Sequence, residues 1–74
     1  MTSKALTQRQ AEIYAHICQM FDSKGLTPTR QELTTHFGFR STNAADSHIK
    51  ALERKGYITT EPFKARSIVI KERQ

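Results

Sequence analysis

The spacing of apolar positions changes once along the chain, from a helical period to an alternating one. Up to about residue 55 the pattern is helical. Ile13, Ile17, Met20 and Phe21 recur on one face of the stretch that starts at Thr7. Thr7 and Gln10 form a Ser/Thr-x-x-Glu/Gln capping box, Leu6 stands where a hydrophobic staple begins, and Lys24–Gly25 supplies a basic last turn and a stop. These signals predict a first helix over about 7–24. A second capping box, Thr29 with Glu32, follows Pro28 and opens a short helix over about 30–37, with Leu33 and Phe37 one turn apart. Gly38 ends it, and Phe39 beyond it is expected to anchor on the core.

A third helix over about 42–55 begins after only a few residues and stops at Gly56. Ala45, His48, Ile49 and Leu52 fall on one side of its helical wheel, at roughly 100° per residue. Asn43, Asp46, Ser47, Lys50 and Arg54 fall on the other. Then the period shortens. "YITT" and "SIVI" are β-branched and aromatic runs, which predict strands at Tyr57–Thr60 and Ser67–Lys71 in a hairpin over about 57–71. The expected fold is mainly α with a small β-hairpin: two helices joined by a tight glycine-containing turn, a third helix before them, and a wing after, in one domain spanning 1–74. Met1–Ser3 and Glu72–Gln74 are expected to fray.

Composition narrows the function. The chain has 74 residues, a formal net charge of +5 and a pI near 9.8. A small basic domain points to a polyanionic partner, most often nucleic acid. A single cysteine forbids an internal disulfide and suits a reducing, cytoplasmic setting. Cys18 lies beside the first apolar stripe and reads as a half-buried structural thiol. No apolar run is long enough for a bilayer and no secretory signal opens the chain, so no membrane partner is expected. His16, His36 and His48 do not share metal-ligand spacing with Cys18, so no metal or other cofactor is expected. No phosphate-cradling glycine loop or nucleophile elbow is present, and neither enzyme activity nor a small-molecule substrate is expected.

The third helix carries the functional reading. Its first turns hold short side chains, which let a helix backbone approach base edges in a major groove about 12 Å wide. Asn43 can pair with adenine, Ala44 can touch a thymine methyl, Asp46 can accept from cytosine N4, and Ser47 can donate or accept. Ser41, as the cap, can hold a phosphate where free N–H groups attract anions. Arg40, Lys50, Arg54 and Lys55 would meet phosphates. The plainer reading is a solvated polar face on a packed helix. In the wing, Lys64 and Arg66 either reach a phosphate or minor groove, or merely keep the loop soluble. Phe63 is expected to fold back onto the core rather than wedge against sugar.

Four stretches, "KALTQRQAEIYAHI", "PTRQEL", "GFRSTNAADSHIKALERKGYI" and "RSIVI", resemble the N-terminal DNA-binding domain of the LexA repressor family. The resemblance runs from about Lys4 to Ile70. It implies a three-helix winged helix-turn-helix that binds double-stranded DNA. The expected target is an inverted repeat with CTGT-type half-sites, bound by two copies paired on the DNA. It further implies repression of SOS, DNA-damage genes by a bacterial or phage protein located in the cytoplasm and on the nucleoid. Positions matching Ser41, Asn43, Ala44, Asp46 and Ser47 face bases in the family, and those matching Thr7, Arg9, Arg30, Arg54 and Lys55 lie near the DNA backbone. Two departures stand out. The family usually carries two glutamates where this chain has Asp46 and Ser47, which is expected to shift or relax the half-site. LexA also continues into a self-cleaving, dimerising domain with a Ser–Lys dyad. An excised domain and a naturally short regulator both fit the sequence, and a monomer in solution is expected. The alternatives are an antirepressor-type protein-interaction module and a nonspecific nucleic-acid binder.

Overall fold

The computed structural model describes residues 6–64 and 66–71; the termini expected to fray lie outside the described residues. Three helices, α1 (Gln8–Lys24), α2 (Arg30–Phe37) and α3 (Thr42–Arg54), precede two strands, β1 (Ile58–Thr60) and β2 (Ile68–Ile70). The strands pair antiparallel, with Ile58 opposite Ile70 and Thr60 opposite Ile68. This is a winged helix-turn-helix.

Local chemistry sets the helix ends. Thr7 accepts from the Gln10 N–H while the Gln10 side chain accepts from the Thr7 N–H, and Thr29 and Glu32 do the same at α2. Both boxes satisfy backbone donors that a helix start leaves open. Gly25 and Gly38 close α1 and α2 at φ 75° and 72°, a left-handed conformation that costs a side-chain-bearing residue about 1–2 kcal/mol.

Ile13 and Ile17 of α1, Leu33 of α2, Ala45, Ile49 and Leu52 of α3, and Ile58, Ile68 and Ile70 of the hairpin make one core. Leu6, Phe21, Phe37 and Phe39 pack around it, as does Cys18, which is half-buried. His48 is half-buried and stacks on Phe39 at 5.5 Å between ring centroids. Ala51 is buried as well, although it lies off the apolar side of the α3 wheel. The hairpin is shorter than its sequence suggests. Tyr57 stays outside β1 and meets Tyr14 edge to face, with centroids 5.1 Å apart. Among the described residues no helix is long and apolar enough to cross a membrane.

Phe63 departs from expectation. It does not fold back onto the core; it is wholly exposed at the wing tip, with φ 66°. Pro62 precedes it, and the Glu61–Lys64 ion pair spans the same four residues at 2.9 Å. Proline at the second position of a turn and a positive φ at the third is the backbone pattern of a type II turn, where glycine is the usual third residue. The turn geometry, not burial, decides where this ring goes.

Candidate nucleic-acid interface

The helix-turn-helix fixes α3 from beneath. Its apolar face is committed to the core, so the stripe Asn43–Ser47–Lys50–Arg54, spaced four, three and four residues apart, is left exposed on the opposite side. Ala44 and Asp46 flank that stripe and are half-buried. Ser41 is the N-cap of α3, in extended backbone, but its hydroxyl makes no capping hydrogen bond. The α3 start therefore differs from the starts of α1 and α2. Its exposed cap hydroxyl is not spent on its own helix.

Asp46 is not a free acceptor. Arg30 Nε donates to Oδ1 at 2.6 Å and Lys50 Nζ lies 3.2 Å from Oδ2. The Arg30 hydrogen bond, and secondarily that of Lys50, holds the Asp46 carboxyl below its ordinary value against an opposing effect of burial. Arg30 also donates from Nη1 to Ser67 Oγ at 3.2 Å. This network ties together the start of α2, the middle of α3 and the base of the wing.

The other assigned cations divide into paired and unpaired. Arg66 grips Glu32 with two hydrogen bonds of 2.7 Å and donates to the Thr27 carbonyl at 3.0 Å. The Arg66 side chain, the Thr29 backbone N–H and the charge of Arg66 draw the Glu32 carboxyl down to about 2. Thr27 in turn donates to the Ile68 carbonyl at 2.7 Å, so the wing is strapped to the start of α2. Lys64 is paired with Glu61. Arg9 pairs with Glu12 at 3.1 Å and lies over the Phe37 and Phe39 rings at 5.6 and 5.7 Å. Lys55 Nζ donates to Gln10 Oε1 at 2.7 Å, which brings the end of α3 to the Thr7 cap of α1. Among the described residues Arg40 and Arg54, both exposed, make no ion pair.

Sequence reasoning missed the strap and the Arg30–Asp46 bond, because neither has a local period. It also missed the stacking of His16 on His36, with centroids 4.0 Å apart, on the α1–α2 side of the molecule. Burial, and then the charge of His36, pushes the His16 pKa down against the pull of Glu32. Among the described residues no three His, Cys, Asp or Glu side chains gather as a metal site would require.

The family model of the LexA DNA binding domain matches residues 3–67. The chain belongs to this family. It is 49% identical to a LexA repressor of Aromatoleum aromaticum over 74 residues, covering 97% of this chain and 36% of that protein. It is 43% identical over 65 residues to a LexA repressor of Sorangium cellulosum, covering 88% of this chain and 28% of that protein. Over 58 residues it is 50% identical to a LexA repressor of Haemophilus ducreyi, covering 78% and 28%. The chain thus spans about a third of the length of these relatives. The matched residues 3–67 include all of α1, α2, α3 and β1.

Proposed function

We propose that this domain binds double-stranded DNA sequence-specifically, with α3 in the major groove, as the DNA-binding part of a LexA-like repressor. The observation that carries the reading is the exposed Asn43–Ser47–Lys50–Arg54 stripe, headed by an N-cap whose hydroxyl is not used within the helix. Membership of the LexA DNA-binding family supports it. Asn43, Ala44 and Ser47 are the proposed base-edge contacts, and Ser41 with the α3 N–H groups takes a phosphate. Thr7, Arg9, Lys55, Arg40 and Arg54 are the proposed backbone contacts, and the wing residues Lys64 and Arg66 lie toward the flank. The proposed target is an inverted repeat of CTGT-type half-sites bound by two copies, in the regulation of DNA-damage genes. The reading assigns the domain no catalysis, and it places the protein in the cytoplasm, on the nucleoid.

Fluorescence anisotropy on a CTGT…ACAG duplex and a scrambled control, at low and near-physiological salt, tests it. The expected result is binding about tenfold or more tighter to the repeat at the higher salt. Equal binding that fades steeply with salt on both duplexes means electrostatic contact alone and refutes specific reading of that site. Asn43→Ala is expected to cost about 1–3 kcal/mol of discrimination at one base step and to leave the other steps unchanged.

A further inference from the structure

Asp46 occupies a position that a base-reading carboxylate would take, yet its surroundings suit a different task. To accept from cytosine N4, a carboxylate must aim a lone pair into the groove. Here Oδ1 sits 2.6 Å from Arg30 Nε, Oδ2 sits 3.2 Å from Lys50 Nζ, and the side chain is only 26% exposed. Turning it toward a base would strip its partner from Arg30, which is itself 34% exposed. A bare carboxylate in the groove would also face the phosphates as a like charge.

The Arg30 side chain shows what the present arrangement achieves. Its guanidinium is held along two edges, by Asp46 at Nε and by the buried Ser67 hydroxyl at Nη1. A planar fork fixed at two points keeps its remaining N–H donors in a defined direction, which is the geometry that favours bidentate capture of a phosphate. Lys50 is drawn to the same carboxylate from the next turn of α3 and stays 68% exposed.

We infer that Asp46 is a positioning residue: it sets Arg30 and Lys50 against the DNA backbone beside α3 and does not itself read a base. The inference rests on the DNA-binding reading above. It makes the aspartate in this chain functionally unlike an acidic base reader, and it leaves base discrimination on this face to Asn43, Ala44 and Ser47.

The test uses a duplex recovered from a random-sequence pool with the wild-type domain, and a panel in which each base pair of its half-site is replaced in turn. Wild type, Asp46→Asn, Asp46→Glu, Arg30→Met and the Asp46→Asn/Arg30→Met double variant are titrated by anisotropy, with circular dichroism melts confirming the fold. Positioning predicts that Asp46→Asn changes affinity by one common factor across the panel. It predicts that the double variant binds no worse than Arg30→Met alone, and that Asp46→Glu recovers part of the loss. It also predicts that the slope of log affinity against log salt falls by about 0.9 for each phosphate no longer neutralised, which a merely structural role would leave unchanged. A loss of about tenfold confined to one base pair overturns the inference. Additive effects of Asp46→Asn and Arg30→Met, or an unchanged salt slope, also overturn it. Should Arg30→Met not fold, Lys50→Met supplies the same cycle. Failure of the DNA-binding reading is separately visible, because the wild-type pool would then yield no preferred sequence.

Discussion

The wing tip gives a prediction whose sign separates two accounts of one residue. Replace Phe63 by glycine. If the ring were part of the core, the change would resemble a large-to-small core substitution, which costs about 3–5 kcal/mol for a phenylalanine. The ring is instead fully exposed, so almost no buried area is lost. What changes is the backbone. At φ 66° an L-residue bears about 1–2 kcal/mol of left-handed strain that glycine does not. Glycine gives back about 0.5–1 kcal/mol through the greater freedom of its unfolded chain. The net lies between about 0 and 1.5 kcal/mol of stabilisation, equivalent to a rise in Tm of up to about 12 °C for a domain of this size.

Thermal denaturation followed by circular dichroism measures this directly. Phe63→Ala is the control, since it removes the same ring and keeps the Cβ. Its stability is expected to stay within about 0.5 kcal/mol of wild type, as for an ordinary surface change. A fall of more than about 10 °C for Phe63→Gly would refute the reasoning, because only lost packing has that magnitude.

Further outcomes follow from other parts of the molecule. Ile49→Ala empties a fully buried site at the centre of α3 and is expected to cost about 2–5 kcal/mol in urea denaturation, a large share of the roughly 4–11 kcal/mol that a chain of this length possesses. Thr29→Ala removes a formed cap and is expected to cost about 0.5–2 kcal/mol, whereas Ser41→Ala removes none and is expected to leave stability within about 0.5 kcal/mol while weakening DNA binding. The Glu32 carboxyl is drawn down from 4.5 to about 2 by its hydrogen bonds. A depressed carboxyl contributes stability above its unfolded value, so that contribution is complete above pH 4.5 and is lost as pH falls toward 2. Glu32→Gln is expected to flatten acid denaturation in that window, by a small amount because the pair is exposed to solvent.

The parts of the structure that could be read from sequence are those with local causes. Both capping boxes link residues three positions apart, and both formed. The change from helical to alternating period located the hairpin, because β-branched residues at Ile58, Ile68 and Ile70 have nowhere to bury except the core beneath them. The apolar face of α3 was readable for the same reason. Most of what could not be read depends on contacts far apart in the chain; Phe63 is the local exception. Tyr57 stays outside β1, with its N–H bonded to the Leu52 carbonyl at the end of α3 and its ring against Tyr14. Ala51 is buried from outside its own helical stripe, so no wheel could include it. Phe63 was misjudged by weighing hydrophobicity above turn chemistry, although Pro62 already signalled the turn.

The same distinction governs the charge. A composition of +5 counts cations without saying which of them can act on a partner. The pairs that decide it, Arg30 with Asp46, Arg66 with Glu32 and Lys55 with Gln10, join residues 16, 34 and 45 positions apart. Most of the assigned basic residues already have an acceptor inside the domain, and three of them, Arg30, Lys55 and Arg66, join different elements. Arg40 and Arg54 make no ion pair among the described residues, and they bracket α3. From Thr42 to Arg54, twelve residues of helical rise span about 18 Å, and Arg40 lies two residues before α3 begins. That span exceeds the roughly 12 Å width of a major groove. A helix lying in the groove would therefore carry each of these arginines past a groove edge toward a phosphate backbone, with Asn43 and Ser47 between them over the bases. On the proposed DNA-binding reading, the unpaired arginines are the ones expected to mark where α3 enters and leaves the groove, and Arg40→Ala or Arg54→Ala is expected to weaken binding to every duplex alike.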